Sequence, residues 1–130
     1  MTFFFDNNLA PRTARALREL GYDVIHIREH FSDDGSIPDE VWMRECAKQG
    51  WVAISHDKAI LAKPHLRAAL LACGLVIFFL KKSLNALDPR EMMIAFLKAW
   101  PEIESASEKA RPGKRWFFVT ANGKVEPISE

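Results

Sequence analysis

The chain is poor in cysteine, carries almost no net charge and has no long hydrophobic run; each shortage removes a class of protein. Its two cysteines, Cys46 and Cys73, sit in apolar, helix-like contexts without metal-ligand spacing. They are expected to be buried packing residues, not a disulfide or a thiolate metal site. Lys and Arg number 18 against 17 Asp and Glu, a net charge of +1, so no global basic field marks a nucleic-acid binder. A neutral total still permits a local acidic pocket beside a basic rim. The most apolar stretch, Ala68–Leu80, is interrupted by Gly74 and is shorter than the about 20 residues a membrane span needs. No basic segment followed by a long apolar core opens the chain, so no signal peptide is expected. The expected address is the cytoplasm, with no membrane partner. Repeats, low-complexity segments and linkers are missing too, and 130 residues is the length of one domain, read here as residues 1–130.

What is present is an alternation of strands and helices. Thr2–Phe5 is a continuous aromatic run, the pattern of a strand buried on both faces. Pro11 opens a helix to Leu20 that Gly21 stops, and Val24, Ile25 and Ile27 form a second strand. The segment FSDDGSIP reads as a polar loop before a helix from Pro38 to about Gly50. Trp51–Ser55 is a third strand, Lys63–Cys73 a helix, and Leu75–Leu80 the most hydrophobic strand. Asp88 and Pro89 form an N-cap and first helical residue. Met92, Met93, Phe96, Leu97 and Trp100 follow as a core-facing stripe. RWFFV and KVEPI, joined across Asn122–Gly123, complete a β-hairpin. The expected architecture is a three-layer α/β/α domain with a mostly parallel central sheet and a C-terminal β-hairpin.

Two of these strands end on an acid: FFFDNN on Asp6 and WVAISHD on Asp57. In parallel sheets the ligand crevice lies beyond the carboxyl ends of the strands, so both acids project toward the same rim. The helix after Pro38 adds Asp39 and Glu40 in its first turn. Helix dipole stabilisation would account for that pair alone, and capping or turn formation would account for Asp6 and Asp57 singly. Asp33 and Asp34 are explained by their polar loop. Converging carboxylates would repel unless a cation neutralised them. Oxygen donors without thiolate or imidazole suit Mg²⁺ or Mn²⁺. Such an ion suits phosphodiester hydrolysis without a serine or cysteine nucleophile, and no such nucleophile is evident.

The stretches FFFDNNLAPRTARALRELGYDVIHI and IPDEVWMRECAKQGWVAISHDKAI resemble the PIN-like nuclease families, in particular VapC-type toxins and related small PIN-like proteins. The shared pattern is an Asp-x-Asn-Leu-x-Pro-like start, a helix opening on Asp-Glu, and a strand closing on a Thr/Ser-x-Asp step. The resemblance runs through about Ile60 and is one of element order beyond it. It implies a metal-dependent ribonuclease with Asp6, Asp39 and Asp57 as metal ligands, Glu40 being the alternative to Asp39. It further implies that Asn8, Arg12, His56 and Lys58 orient water or contact phosphate. RNA as substrate, a cognate antitoxin protein and a homodimer complete what the resemblance implies. Such domains often carry one more acid after the fourth strand, where this chain has Lys81 and Lys82. Those lysines would hold phosphate or merely solvate a strand end; Arg111, Lys114 and Arg115 read as a surface cluster. A non-catalytic PIN-like scaffold that binds RNA or protein is therefore the rival expectation. A receiver-like phosphoacceptor domain would need paired acids after the first strand, and a dinucleotide enzyme a Gly-rich turn; the chain has neither.

Overall fold

Six short strands form one sheet in the order β2-β1-β3-β4-β5-β6 in a computed structural model that describes residues 1–31, 36–56 and 59–130. The strands are β1 (Phe3–Phe5), β2 (Val24–His26), β3 (Val52–Ser55), β4 (Ile77–Leu80), β5 (Trp116–Val119) and β6 (Val125–Pro127). All neighbours pair in parallel except β5 and β6, which form the antiparallel hairpin expected across Asn122–Gly123. The helices are α1 (Pro11–Glu19), α2 (Ile27–Phe31), α3 (Asp39–Gln49), α4 (Ala59–Ala62), α5 (Pro64–Cys73), α6 (Lys82–Asn85) and α7 (Pro89–Glu108).

Alternation along the strands splits the core into two layers. Phe3, Phe5, Ile54, Phe78 and Leu80 face α1 and α7; Phe4, Ala53, Ile77 and Phe79 face α2, α3, α4 and α5. β1 lies between aromatic partners on both sides. Phe3 meets Trp100 edge-on at 4.8 Å and Phe5 stacks on Phe96 at 5.7 Å, while Phe4 stacks on Trp42 at 5.8 Å. Each such pair contributes about 0.5–1.5 kcal/mol beyond its burial. Together they fix the three-residue strand from which the first acid projects.

Local signals behave as expected at most helix ends. Asp88 caps α7, its carboxylate accepting from the Glu91 backbone N–H at 2.8 Å, and Gly50 and Gly74 end α3 and α5 in the left-handed conformation that favours glycine. Three short helices depart from expectation. Ile27 leaves the second strand and opens α2, which extends into what read as a loop; Ser32–Gly35, with Asp33 and Asp34, lie outside the described residues. Tertiary contacts override the strand pattern there. Arg18 donates both terminal nitrogens to the Glu29 carboxylate at 2.7 Å, and Glu29 also accepts from the His26 backbone N–H. The other departures are α4, a single turn ahead of the helix expected from Lys63, and α6, a single turn where a bare strand end was expected.

Lys81 is not free for phosphate: it pairs with Glu126 at 2.7 Å and lies over the Phe118 ring. Arg115 likewise departs from the surface cluster, its guanidinium held by Glu130 at 2.7 Å with only 16% of the side chain exposed. Cys46 is buried and Cys73 half-buried, both free thiols.

Candidate active site

Strand order reverses at β1: the chain goes first to β2 on one side, then to β3 on the other. A crevice at such a switch point is where open α/β sheets place their ligands. Asp6 leaves β1 there, and Ser55 ends β3 with His56 following it.

Asp6 is 3% exposed. Its Oδ2 accepts from the Ser55 hydroxyl at 2.5 Å and its Oδ1 from the Asn8 backbone N–H at 3.1 Å. Burial nevertheless dominates and pushes the carboxyl from the ordinary 3.8 up to about 6. Ser55, Asn8 and His56 pull it down, while the nearby charge of Asp39 adds to the rise. The sequence thus brings Asp6 and Asp39 within electrostatic reach of each other. Asp39 does not cap its helix; its Oδ1 accepts from the Trp42 indole N–H at 3.0 Å. Glu40 lies 3.6 Å from Arg44, in an open groove between α3 and α5 that Asp39, Lys63 and His65 also line. Of the two first-turn acids, Asp39 is therefore the one coupled to Asp6. Asp57 and Lys58 lie outside the described residues.

His56 joins the two strand ends, its Nε2 lying 2.5 Å from the Asn8 carbonyl. Beside it is a cavity of about 210 Å³ that gathers three of the expected substrate-binding residues, Asn8, Arg12 and His56. Its far wall comes from Asn85, Leu87, Pro89 and Met92. The loop forming its near wall is pinned from below: the buried His26 places Nε2 2.6 Å from the Leu9 carbonyl, while its Nδ1 accepts from the Arg28 N–H at 3.2 Å. Burial lowers the His26 pKa and keeps the ring neutral, so Nε2 carries the proton that Leu9 accepts.

Sequence reasoning missed Ser55, His26 and Asn85. Ser55 was visible within the Ser-x-Asp step, as the hydroxyl two residues before the acid. Neither His26 nor Asn85 carries a local signal, because each acts through contacts made by the fold.

Oxygen donors from Asp6 and Asp39 match a hard divalent ion, and a buried carboxylate whose ionisation is disfavoured gains from a cation beside it. That is the chemistry expected of Mg²⁺ or Mn²⁺. Among the described residues no group of three His, Cys, Asp or Glu side chains closes a complete ligand set. Asp57, the third expected ligand, lies outside those residues.

No helix among the described residues is long and apolar enough to cross a membrane. Comparison with curated proteins and with solved structures finds no match. Comparison with protein families matches residues 1–82, which carry β1 to β4 with Asp6 and Asp39, to the family described as PIN like domain. The match spans well over half of the chain, and the protein belongs to the PIN-like domain family.

Proposed function

We infer that the protein is a metal-dependent endoribonuclease of PIN-like type, acting in the cytoplasm as the VapC-type toxin of a toxin–antitoxin pair. The observation that carries this reading is the desolvated carboxylate of Asp6 at the switch point, coupled electrostatically to Asp39. Asp6, Asp39 and Asp57 would hold the Mg²⁺ or Mn²⁺ ion, with Glu40 left to its pairing with Arg44. When bound, the ion would supply an activated water and neutralise phosphate charge for phosphodiester hydrolysis. The chain's own residues do the rest. Ser55 and the Asn8 backbone orient the Asp6 carboxylate. Arg12 brings a permanent cation to the mouth of the adjoining cavity, where an RNA phosphate would lie. His56 braces the loop that carries Asn8, and Lys58 adds a second cation next to Asp57. An antitoxin protein would silence the enzyme by covering this rim, and a homodimer would extend the RNA path beyond what one small domain offers.

The test is cleavage of a mixed RNA substrate with Mg²⁺ or Mn²⁺ by wild type and by Asp6→Asn. Metal-dependent cleavage that Asp6→Asn abolishes is expected; equal cleavage by both would refute the assignment of Asp6. One observation favours the rival, a non-catalytic scaffold for RNA or protein. Both oxygens of Asp6 and one of Asp39 already have internal hydrogen-bond partners, so a fold with no ion would also keep them satisfied. Calorimetric titration with Mn²⁺ separates the two, because the scaffold binds no ion at these acids.

A further inference from the structure

The cavity beside His56, whose lining begins two residues after Asp6 at Asn8, contains more unused hydrogen-bonding capacity than a folding role requires. Arg12, Thr13 and Asn85 all line it, and none of the three side chains has a hydrogen bond or ion pair within the protein among the described residues. Polar groups that converge on a concave space without internal partners are the usual mark of a ligand site. Their backing is apolar: Leu9 is buried beneath them, and Leu87 and Met92 close the opposite side, half-buried. At about 210 Å³ the space is below the about 300–1,000 Å³ of drug-sized ligand pockets. It admits one flat ring system and no polymer.

We propose that this cavity is a single-nucleobase subsite, in which Leu87 and Met92 hold the ring and Asn85 with Thr13 reads its edge. The proposal rests on the ribonuclease reading of the neighbouring acids and names what fixes the substrate beside them. An amide offers a donor and an acceptor side by side, which matches the edge of an unpaired base, and sequence-specific RNA recognition targets such splayed bases. Arg12 takes the adjoining phosphate. It also borders a second, shallower groove between α1 and α7 that includes Arg90 and Met93. The strand therefore leaves the base subsite along a surface with two cations and a thioether, suited to backbone and base faces without sequence preference. A single base read beside the acids would give the enzyme a one-position preference at its cleavage site.

The subsite is tested on wild-type protein with the four ribonucleoside 5′-monophosphates, each titrated by NMR against an inorganic phosphate control. One nucleotide is expected to shift the signals of Asn85, Leu87 and Met92 at least about tenfold more tightly than the weakest of the four. Inorganic phosphate alone should leave those three signals in place. Asn85→Leu, checked for fold by circular dichroism, is expected to flatten the preference. Equal binding of all four, binding of none, or the same shifts from inorganic phosphate would overturn the proposal. The two readings fail separately. A preference lost in Asn85→Leu with no RNA cleavage by the Mn²⁺-treated wild type would keep the subsite and sink the nuclease. RNA cleavage whose site preference is the same in wild type and Asn85→Leu would keep the nuclease and sink the subsite.

Discussion

Replacing Asp6 by asparagine should stabilise the metal-free protein, the opposite of what removing a doubly hydrogen-bonded buried group normally does. The carboxyl is pushed up to about 6 chiefly by burial, which places about 3 kcal/mol against the ionised folded state. The sign follows from the direction of the rise. A folded-state value above the unfolded one gives a contribution fully present below 3.8 and lost as pH climbs through about 6. At about pH 7.5 wild type bears the whole cost, and Asp6→Asn, of the same shape and uncharged, bears none. Its carbonyl can still accept from the Asn8 N–H, and the Ser55 hydroxyl can turn to accept from the new amide. At about 4 °C per kcal/mol for a domain of this size, the melting temperature of the variant should be about 10 °C higher. The gap should nearly close near pH 3.5, just below the ordinary value of 3.8, where Asp6 is mostly neutral in both states. Differential scanning fluorimetry at the two pH values, with EDTA, measures it. A variant less stable than wild type at about pH 7.5, or a gap that persists near pH 3.5, refutes burial as the dominant cost. Adding Mn²⁺ should raise the wild-type melting temperature and leave Asp6→Asn unmoved.

Other perturbations follow from the same geometry. His26 runs the other way in pH: its folded-state value is lowered by burial, so its contribution is present above about 6.5 and lost as pH falls through the folded value. Asp6→Asn, freed of the opposing slope, should therefore lose stability on mild acidification more steeply than wild type, as pH-dependent melting will show. His26→Ala should cost about 2–4 kcal/mol in urea unfolding, because it opens a buried space and leaves the Leu9 carbonyl unpaired. Lys81→Ala, which breaks a half-exposed ion pair, should change stability by less than about 1 kcal/mol and leave RNA cleavage unchanged. Gly123→Ala should lower the melting temperature by several degrees, about 1 kcal/mol or more, since φ is +74° and a Cβ would meet Lys98 at 2.8 Å. In native protein a thiol reagent should label Cys73 and spare Cys46, whose thiol burial pushes up.

The central strands were legible because they are buried on both faces, and runs such as FFF and IFFL have few other uses in a chain this size. Asp6 was legible for the same reason, as the polar residue where such a run stops. The missed helices show where local reading fails. α2 has five residues and α6 four, too few to form on propensity alone. α2 is held by the Arg18–Glu29 bridge and by Phe31 against Phe4, contacts that a local pattern does not encode. The cavity was half legible. Asn8, Arg12 and His56 are close to the acids in sequence, but Asn85 reaches them only because β4 runs beside β3 and delivers α6 to the same rim.

The end of the family match at residue 82 is not a seam in the molecule. β5 lies against β4 through four paired positions, and α7 covers β1 through Phe96 and Trp100. The first acid therefore takes its bearings from aromatic rings encoded in a part of the chain the family pattern does not include. Modularity is lost in consequence. The family-matched part cannot be cut out and grafted elsewhere as a portable cassette, and any transplant would have to carry the last helix and hairpin along with it.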